Sequence, residues 1–578
     1  MTAVETAPGT APPAAGSLTT RTVLQWGVLA APVVLLLVMA WTHRWTYEDG
    51  FINFRIVRQI QAGHGPVFNT GERVEAYTSA LWIAALWLGD LLTPLRLEWV
   101  AVILGIAGTV SGLALSTAGS MRLARLTAPG SFLAPAGAAV VAVLAPMWVF
   151  ATSGLEGGLV FFWIGACAWV LARWATSDRR FPLWGAVVVG LGVLVRPELS
   201  LMTLAFAAAF FVGDWSATAW RRRFALLGAL VAIPIAYQIF RMGYFATLLP
   251  NTAYAKDASG SRWNLGVDYA RDFANTYALW IPLVLLALGG YVPLVRRLSG
   301  EHRRAMLVVI AFLVAATLDA LYITRIGGDY IPARLLLPAI FAFCAPVAVV
   351  AWRLRDAVAL AVLPWAVVCA LALRPSSPYY TTIGVTARNV VTLEDTGFTR
   401  DSPKLAWFQA PGIYYGQSRL DASPGPDATP STVFAGGIGI VGYALGTNVN
   451  IMDSLGLADP VTAHFALTSR GRPGHEKPEP PPWVAARITA PGSNLPARDF
   501  PNFTLIRLLL PPSTGAKFQQ QVADARKSID CGELRELRDS YRQHLTLGRF
   551  FDNIGRSFRL SGVSVPPDPA KAVAKFCR

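Results

Sequence analysis

Charged side chains are scarce in this sequence: Asp, Glu, Lys and Arg make up only 15% of its 578 residues, whereas 54% are hydrophobic. A water-soluble chain of this length needs far more polar surface, because one soluble core cannot hide so many apolar side chains. The apolar residues also come in blocks of membrane-spanning length. The composition therefore excludes a soluble protein and predicts an integral membrane protein.

A basic surface for nucleic acid is also missing, although the formal net charge is +15. Lys and Arg occur mostly in short clusters between apolar blocks, and no stretch forms a basic face that could hold a phosphodiester chain. We therefore predict no nucleic-acid partner and interpret the clusters as markers of cytoplasmic loops. They are Arg179-Arg180, Arg221-Arg222-Arg223, Arg296-Arg297 and Arg303-Arg304.

All of these clusters fall on one side of the membrane if about eleven apolar blocks span it, which leaves the N-terminus inside and the C-terminus outside. The apolar block 79–92 is short and carries Asp90, so we interpret it as a helix along or dipping into the outer face. Residues 1–20 are predicted to be a disordered cytoplasmic tail and residues 21–373 a transmembrane domain. The predicted spans are 23–41, 97–117, 131–150, 159–175, 181–195, 199–212, 224–240, 277–295, 305–323, 335–350 and 357–373.

Residues 374–578 are more polar than the preceding part and rich in Pro and Gly. We predict that they form a soluble α/β domain outside the cytoplasm, since about 200 residues is a normal size for one domain. Its predicted elements are strands within 431–440 and 502–510 and a helical run from 533 towards 551.

The five cysteines fit this division of the chain. Cys167, Cys344 and Cys369 lie in predicted spans, where a buried free thiol is ordinary. Cys531 and Cys577 are the only cysteines of the predicted outer domain. A disulfide between these two is the expectation for an oxidising compartment.

Two adjacent carboxylates, Glu48 and Asp49, follow the first predicted span, and the amphipathic stretch 52–62 behind them carries Arg55 and Arg58. Such a helix suits a lipid-phosphate sugar donor, because arginine pairs with phosphate and a carboxylate can remove the proton from an acceptor hydroxyl. The residues alone leave a structural alternative open, in which Asp49 caps the helix and the arginines bind anionic headgroups.

Further charged residues of both signs fall in the predicted outer loops. Each one taken alone is explained equally well as a helix cap or a snorkelling side chain. Together they would surround the outer mouth of the helix bundle, where a buried site needs them. They are Glu75, Glu156, Arg196, Lys256, Asp257, Asp329 and Arg334.

This order of elements resembles the GT-C membrane glycosyltransferases. In those enzymes the first span is followed by a loop with an acidic pair and two juxtamembrane helices, and a second acidic motif lies outside the third span. More closely, the chain resembles the actinobacterial terminal β-arabinofuranosyltransferase family from the first span into the C-terminal domain. The first-loop motifs are specific, whereas an isolated Gly-Gly-Asp or Lys-Asp would not be. The matching motifs are Glu48-Asp49-Gly50, Gly65-Pro66-Val67-Phe68-Asn69, Gly71-Glu72-Arg73-Val74-Glu75-Ala76, Thr78-Ser79, Ser153-Gly154-Leu155-Glu156, Ala255-Lys256-Asp257, Gly327-Gly328-Asp329, Asp453-Ser454-Leu455-Gly456-Leu457 and Pro473-Gly474-His475-Glu476-Lys477.

The resemblance implies an enzyme of the plasma membrane that moves arabinofuranose from decaprenyl-phosphoryl-arabinose to the arabinan of arabinogalactan or lipoarabinomannan at the outer face. It implies Asp49 as the base, with Glu48 assisting. A divalent cation is possible as a cofactor, because the two carboxylates could share one, and no other cofactor is predicted with certainty. Donor binding is assigned to Arg55, Arg58, Glu75, Arg196, Lys256, Asp257, Asp329 and Arg334, and acceptor binding to Glu156, Asp453, His475 and Glu476.

Other functions stay open at this point: a GT-C transferase for another polyprenyl-phosphate sugar, or a non-catalytic membrane transporter or docking protein. Transporters usually carry ionisable residues near mid-membrane and consist of repeated halves. This sequence keeps its charges at the predicted outer face and has no convincing repeat; Asp319 is the nearest exception.

Overall fold

A computed structural model describes residues 20–44, 46–215, 219–257, 260–300, 302–329, 331–352, 361–372, 432–435, 437–469, 474, 476–488 and 515–578. The predicted cytoplasmic tail, apart from its last residue, lies outside the described residues. So do the predicted strand 502–510 and the candidate acceptor residue His475.

The first part of the chain is almost entirely helical. Its helices are α1 (Thr20–Thr42), α2 (Glu48–Gln61), α3 (Ala80–Leu92), α4 (Leu97–Thr127), α5 (Ala136–Val143), α6 (Ala145–Phe150), α7 (Gly157–Ala175), α8 (Leu183–Gly190), α9 (Gly192–Val195), α10 (Ser200–Gly213), α11 (Trp220–Phe245), α12 (Asn251–Ala255), α13 (Trp263–Thr276), α14 (Trp280–Leu286), α15 (Val292–Leu298), α16 (Arg303–Arg325), α17 (Leu337–Cys344) and α18 (Val362–Ala372).

Within the described ranges, six helices are long and apolar enough to cross a membrane, so the chain is a membrane protein. One of these six joins α14 to α15 through a π-helical segment, Ala287–Tyr291. Five further apolar helices are shorter, including α3, α10 and α17. The predicted number of eleven spans stays a prediction. The six long helices are Thr20–Thr42, Leu97–Thr127, Gly157–Ala175, Trp220–Phe245, Trp280–Leu298 and Arg303–Arg325.

One predicted span, 131–150, is not a single helix. The chain first forms a two-residue strand, β1 (Leu133–Ala134), which pairs antiparallel with β2 (Val350–Ala351). Helices α5 and α6 follow and are separated at Leu144, with Pro146 at the start of α6. Proline has no amide N–H and clashes with the preceding turn, which explains the break. The predicted span 181–195 is likewise divided into α8 and α9.

Glycines bring α4 and α7 into backbone contact. A Cβ atom on Gly158 would clash with the carbonyl oxygen of Gly105, and one on Gly165 would clash with that of Gly112. Small residues at this spacing let two membrane helices approach closely. The contact fixes the start of α7, and therefore the position of Glu156 immediately before it.

The predicted cytoplasmic loops meet at one end of the bundle. Arg304 donates to the carbonyl oxygens of Ser177 and Arg179 at 2.9 and 3.1 Å and pairs with Asp214 at 2.8 Å. Arg222 donates to the carbonyl oxygen of Phe181 at 2.9 Å. The basic clusters therefore tie neighbouring loops together at the end opposite the candidate site described below.

The described C-terminal residues form a two-stranded parallel sheet with helices around it. The predicted strand 431–440 is only partly correct, because β3 ends at residue 435 and a helix begins at Ile438. The helical run predicted from 533 is two helices, the second capped by the Thr546 side chain. The elements are β3 (Thr432–Ala435), α19 (Ile438–Leu445), β4 (Asn450–Asp453), α20 (Pro460–Ala463), α21 (Pro481–Ile488), α22 (Ala516–Ile529), α23 (Gly532–Arg542), α24 (Leu547–Leu560) and α25 (Pro569–Phe576).

The sulfur atoms of Cys531 and Cys577 are bonded, at 2.12 Å. This bond ties the start of α23 to the end of α25. The other three cysteines are free and buried.

Candidate active site

The acidic pair lies at the start of α2, which begins at Glu48 rather than at the predicted residue 52. Tyr47 occupies the N-cap position, so the alternative in which Asp49 caps this helix is not what the structure has. Both carboxylates lie in the first turn, where the helix dipole favours negative charge.

A glycine contact holds this turn against the loop before α7. The Tyr47 amide donates to the carbonyl oxygen of Ser153 at 2.8 Å. A Cβ atom on Gly50 would lie 2.8 Å from the same oxygen and 3.1 Å from the Cα of Gly154. Only glycine therefore allows the turn that carries Asp49 to pack on the loop that carries Glu156.

The two carboxylates face different partners. Glu48 Oε1 accepts a hydrogen bond from the amide of Gly439 at 2.5 Å, near the start of α19. Asp49 Oδ2 lies 3.9 Å from Arg334 Nη1. Among the described residues, no group of three or more His, Cys, Asp or Glu side chains could hold a metal ion. A divalent cation shared by Glu48 and Asp49 stays a prediction.

Arg334 joins Asp49 to Asp329. Its Nε and Nη2 atoms both lie 2.6 Å from Asp329 Oδ2, while Nη1 points to Asp49. The preceding residue, Ala333, has a φ of 65°, which is unusual for a residue with a side chain. Such a conformation persists only where the surrounding structure enforces it, and here it positions the guanidinium.

A second arginine lies beside the first. Arg196 follows α9 directly and pairs with Glu156 before α7 and with its near neighbour Glu198, so it joins two segments of the bundle. Arg196, Arg334 and Asp319 line a cavity of about 30 Å³. Asp319 on α16 is 1% exposed, and its oxygens have no hydrogen-bond partner within the described part of the chain.

Lys256 is the third cation of this cluster and follows α12 directly. Burial lowers the pKa of Lys256, the charge of Arg334 lowers it further, and Asp329 and Asp49 act in the opposite direction. A Cβ atom on Gly474 would lie 3.5 Å from the lysine side chain. The next residue, Asp257, has a φ of 47°, so the chain turns sharply after the lysine.

Two of the predicted donor-binding arginines are elsewhere. Arg55 is 1% exposed, and its guanidinium donates to the carbonyl oxygens of Phe68, Gly446 and Val449 at 2.6–2.7 Å. This is a correction, because a guanidinium committed to buried main-chain oxygens does not hold a donor phosphate. Arg58 donates to the hydroxyl of Tyr443 at 3.0 Å and lies over its ring.

Two of the predicted carboxylates, Glu75 and Glu476, are buried and have internal partners. Glu75 is buried against Arg241 and the Tyr237 hydroxyl, each at 2.6 Å. Glu476 pairs with the buried Arg262 at 2.6 Å. These buried ion pairs give both carboxylates a structural role, because removing one partner would leave an uncompensated charge. Their predicted binding roles stay predictions.

Asp453 also differs from its predicted acceptor-binding role. Its side chain is buried and accepts from the amides of Leu455 and Ala458 at 2.9 and 2.8 Å. Burial raises the pKa of Asp453 to about 7, although these amide bonds act in the opposite direction. It stabilises the turn after β4 and has no surface to offer a glycan.

A second polar cleft of about 300 Å³ lies between the first loop and the C-terminal helices. It was not predicted, because its residues come from six separate parts of the sequence. Ion pairs close its rim, including Arg542 with Glu72 at 2.6 Å. Its lining includes Asn69, Glu72, Asn450, Asp459, Arg487, Arg526, Arg538, Tyr541 and Arg542.

A family model and two relatives of known name all match this chain. Residues 392–573 match the AftB family C-terminal domain. The chain is 32% identical to the terminal beta-(1→2)-arabinofuranosyltransferase of Mycobacterium tuberculosis, covering 93% of this chain and 94% of that protein. It is 29% identical to the protein of the same name from Corynebacterium glutamicum, covering 90% and 84%.

Among solved structures, the crystal structure of ArnT from Cupriavidus metallidurans bound to undecaprenyl phosphate is similar at 15% sequence identity and a TM-score of 0.42. The match covers 76% of this chain and 88% of that one.

Proposed function

The chain belongs to the family of terminal beta-(1→2)-arabinofuranosyltransferases, and from this membership we propose that it transfers arabinofuranose from decaprenyl-phosphoryl-arabinose to a cell-wall arabinan. The acceptor is the arabinan of arabinogalactan or lipoarabinomannan. The reaction takes place at the outer face of the plasma membrane, on a GT-C bundle of eleven spans. Residues 374–578 form one domain on the same side.

The observation that carries this proposal is the position of Asp49 beside Arg334, in a cluster that also contains Lys256 and Arg196. Transfer from a lipid phosphate needs a base for the acceptor hydroxyl and cations for the leaving phosphate. In the cluster, Asp49 is the candidate base and lies near three cations at one end of the bundle. Three further carboxylates pair with the two arginines there: Asp329, Glu156 and Glu198.

In the proposed reaction, the acceptor hydroxyl oxygen attacks the anomeric carbon of arabinose while Asp49 takes the hydroxyl proton. The bond from the anomeric carbon to the phosphate oxygen breaks, and its electron pair leaves with the polyprenyl phosphate. Arg334 and Lys256 stabilise the charge that develops on that oxygen. Glu48 positions the base by fixing the start of α2 to Gly439.

The experiment is transfer of radiolabelled arabinose from the polyprenyl-phosphate donor to a short arabinan, with purified wild type, Asp49→Asn and Asp268→Asn. Asp268 is the matched control, since its side chain is 67% exposed on α13. We expect Asp49→Asn to lose transfer by about 10²–10⁴-fold, the usual contribution of a general base. Asp268→Asn should keep wild-type activity.

Full activity of Asp49→Asn would remove Asp49 as the base. If the wild type does not use the arabinosyl donor but does use a mannosyl or glucosyl lipid, the protein is a polyprenyl-phosphate-sugar transferase and arabinose is not its donor sugar. Inactivity with every donor would favour the transporter or docking alternative. Equal amounts of each variant in the membrane must be verified first.

A further inference from the structure

Helix α24 has an apolar face that the described part of the chain leaves uncovered. Leu547, Phe551, Ile554 and Phe558 follow each other at spacings of four, three and four residues, which places them on one side of a helix. Leu547, Phe551 and Phe558 are 81%, 67% and 65% exposed. A row of large exposed apolar side chains on one helix face marks an interaction site.

The charged residues of the same helix lie on the other side. At 3.6 residues per turn, Arg549, Asp552, Arg556 and Arg559 are centred about 150° around the axis from the apolar row. A short helix with a phenylalanine-rich apolar face and a basic polar face is typical of helices that lie in the membrane interface.

A third face of α24 packs on the membrane-spanning helix α11. Asn553 Nδ2 donates to the carbonyl oxygen of Gly243 at 3.0 Å, and a Cβ atom on Gly243 would clash with the ring of Phe550. The contact is two residues from the end of α11 at Phe245. Helix α24 therefore lies at the end of a span, at the depth where the interface of a bilayer begins.

The surface of α11 below this contact is apolar and open to lipid. Ile235 and Ile239 are 52% and 47% exposed, and Ile239 lies one helical turn before Gly243. The contact at Gly243 therefore places the exposed row of α24 next to the exposed apolar surface of a membrane-spanning helix. A bilayer that covers this surface of α11 extends to the end of the span, so it is the occupant that the position of α24 favours.

We propose that α24 lies in the membrane interface, with Leu547, Phe551, Ile554 and Phe558 inserted into the leaflet at the Phe245 end of α11. Arg73 of the first loop donates to the carbonyl oxygens of Ser540 and Gln543 just before this helix, at 2.6 and 2.7 Å. The lipid contact thus anchors the C-terminal helices beside the loop that carries the candidate site.

The test uses the full chain in phospholipid vesicles with a polarity-sensitive fluorophore on Phe551→Cys. Lipids brominated along the acyl chains should quench this label several-fold more than a label on Lys517→Cys, an exposed position on α22. Ile239→Cys provides the lipid-facing reference. The native free cysteines are buried, and labelled wild type gives the background to subtract.

Asp552→Cys tests the orientation, because it is one residue away on the charged face. We expect its label to behave like that on Lys517→Cys. Equal quenching at positions 551 and 552, or no excess quenching at 551, would overturn the proposal. Shielding of the 551 label from both brominated lipid and aqueous iodide, growing with protein density, would assign this face to a second copy instead.

Discussion

The two ends of the helix bundle use arginine in different ways. At the end where the basic loops meet, Arg304 and Arg222 donate to main-chain carbonyl oxygens at 2.9 Å, and Arg304 also pairs with Asp214. At the other end, Arg196 and Arg334 pair with side-chain carboxylates. The first arrangement closes loops, whereas the second concentrates charge in a small buried region.

This difference indicates which end can respond to a substrate. A main-chain carbonyl is fixed in position by its loop, whereas a carboxylate side chain can rotate away from its arginine and let a phosphate take its place. At the site end the Asp49–Arg334 separation is 3.9 Å, against 2.6 Å for Asp329–Arg334. Asp49 is therefore the more loosely held of the two carboxylates on this arginine.

The largest effect in this comparison is expected for Arg334→Gln. It removes the guanidinium whose Nη1 lies 3.9 Å from Asp49. Loss of one group that stabilises transition-state charge typically costs about 10²–10³-fold in rate. Arg334→Lys keeps the charge but cannot reach Asp329 and Asp49 together, so about a tenfold loss is expected. The measurement is kcat/KM for arabinose transfer.

Arg334→Gln also removes the ion pair between Arg334 and Asp329. The thermal unfolding of each variant is therefore measured together with its kinetics. A loss of rate in a variant that unfolds at the wild-type temperature supports a role in the reaction. Wild-type kcat/KM in Arg334→Gln would place this arginine with the structural ones of the other end.

The sequence was sufficient to predict both ends of the bundle, because basic clusters and acidic motifs are local signals. Residues 49, 156, 196, 256, 329 and 334 were predicted in the outer loops, and the structure brings them together. It was not sufficient for Arg55, whose carbonyl partners near Gly446 are 391 residues away in the chain. A local pattern gives no information about such a distant pairing.

Burial explains most of the remaining differences between the predictions from sequence and the structure. Asp453 and Glu476 lie in polar motifs that look exposed in sequence, yet both are buried with internal partners. The break in the predicted span 131–150 was the exception that local chemistry could have indicated, since Pro135 and Pro146 flank α5 and begin α6. The second polar cleft is lined by residues from six separate parts of the sequence, so no local pattern could predict it.

A smaller effect is expected for Lys256→Arg, and it depends on pH. The pKa of Lys256 is below that of an ordinary lysine because of burial and Arg334. If the ammonium stabilises the leaving phosphate, transfer is full below this pKa and falls as the pH rises through it. Arginine stays protonated up to about pH 12, so the variant should lose the alkaline decline.

The profile of kcat between about pH 7 and pH 10.5 provides the measurement, since an unperturbed lysine titrates near about 10.4. At neutral pH the larger guanidinium is expected to cost a few-fold in rate. An alkaline limb that is identical in wild type and Lys256→Arg would show that another group titrates there.

The smallest effect is expected for Arg304→Gln, although Arg304 also pairs with a buried carboxylate. Its partner Asp214 keeps the amide of Phe181 at 2.8 Å and the indole N–H of Trp174 at 3.1 Å, so the carboxylate is not left without donors. The Arg304 side chain is 23% exposed, which weakens the ion pair further. We expect unfolding free energy to fall by about 1 kcal/mol and transfer to change by less than about twofold, measured by thermal unfolding and by the arabinose assay. A tenfold loss of transfer would mean that the two ends are coupled, and that the loop-closing arginines also serve the reaction.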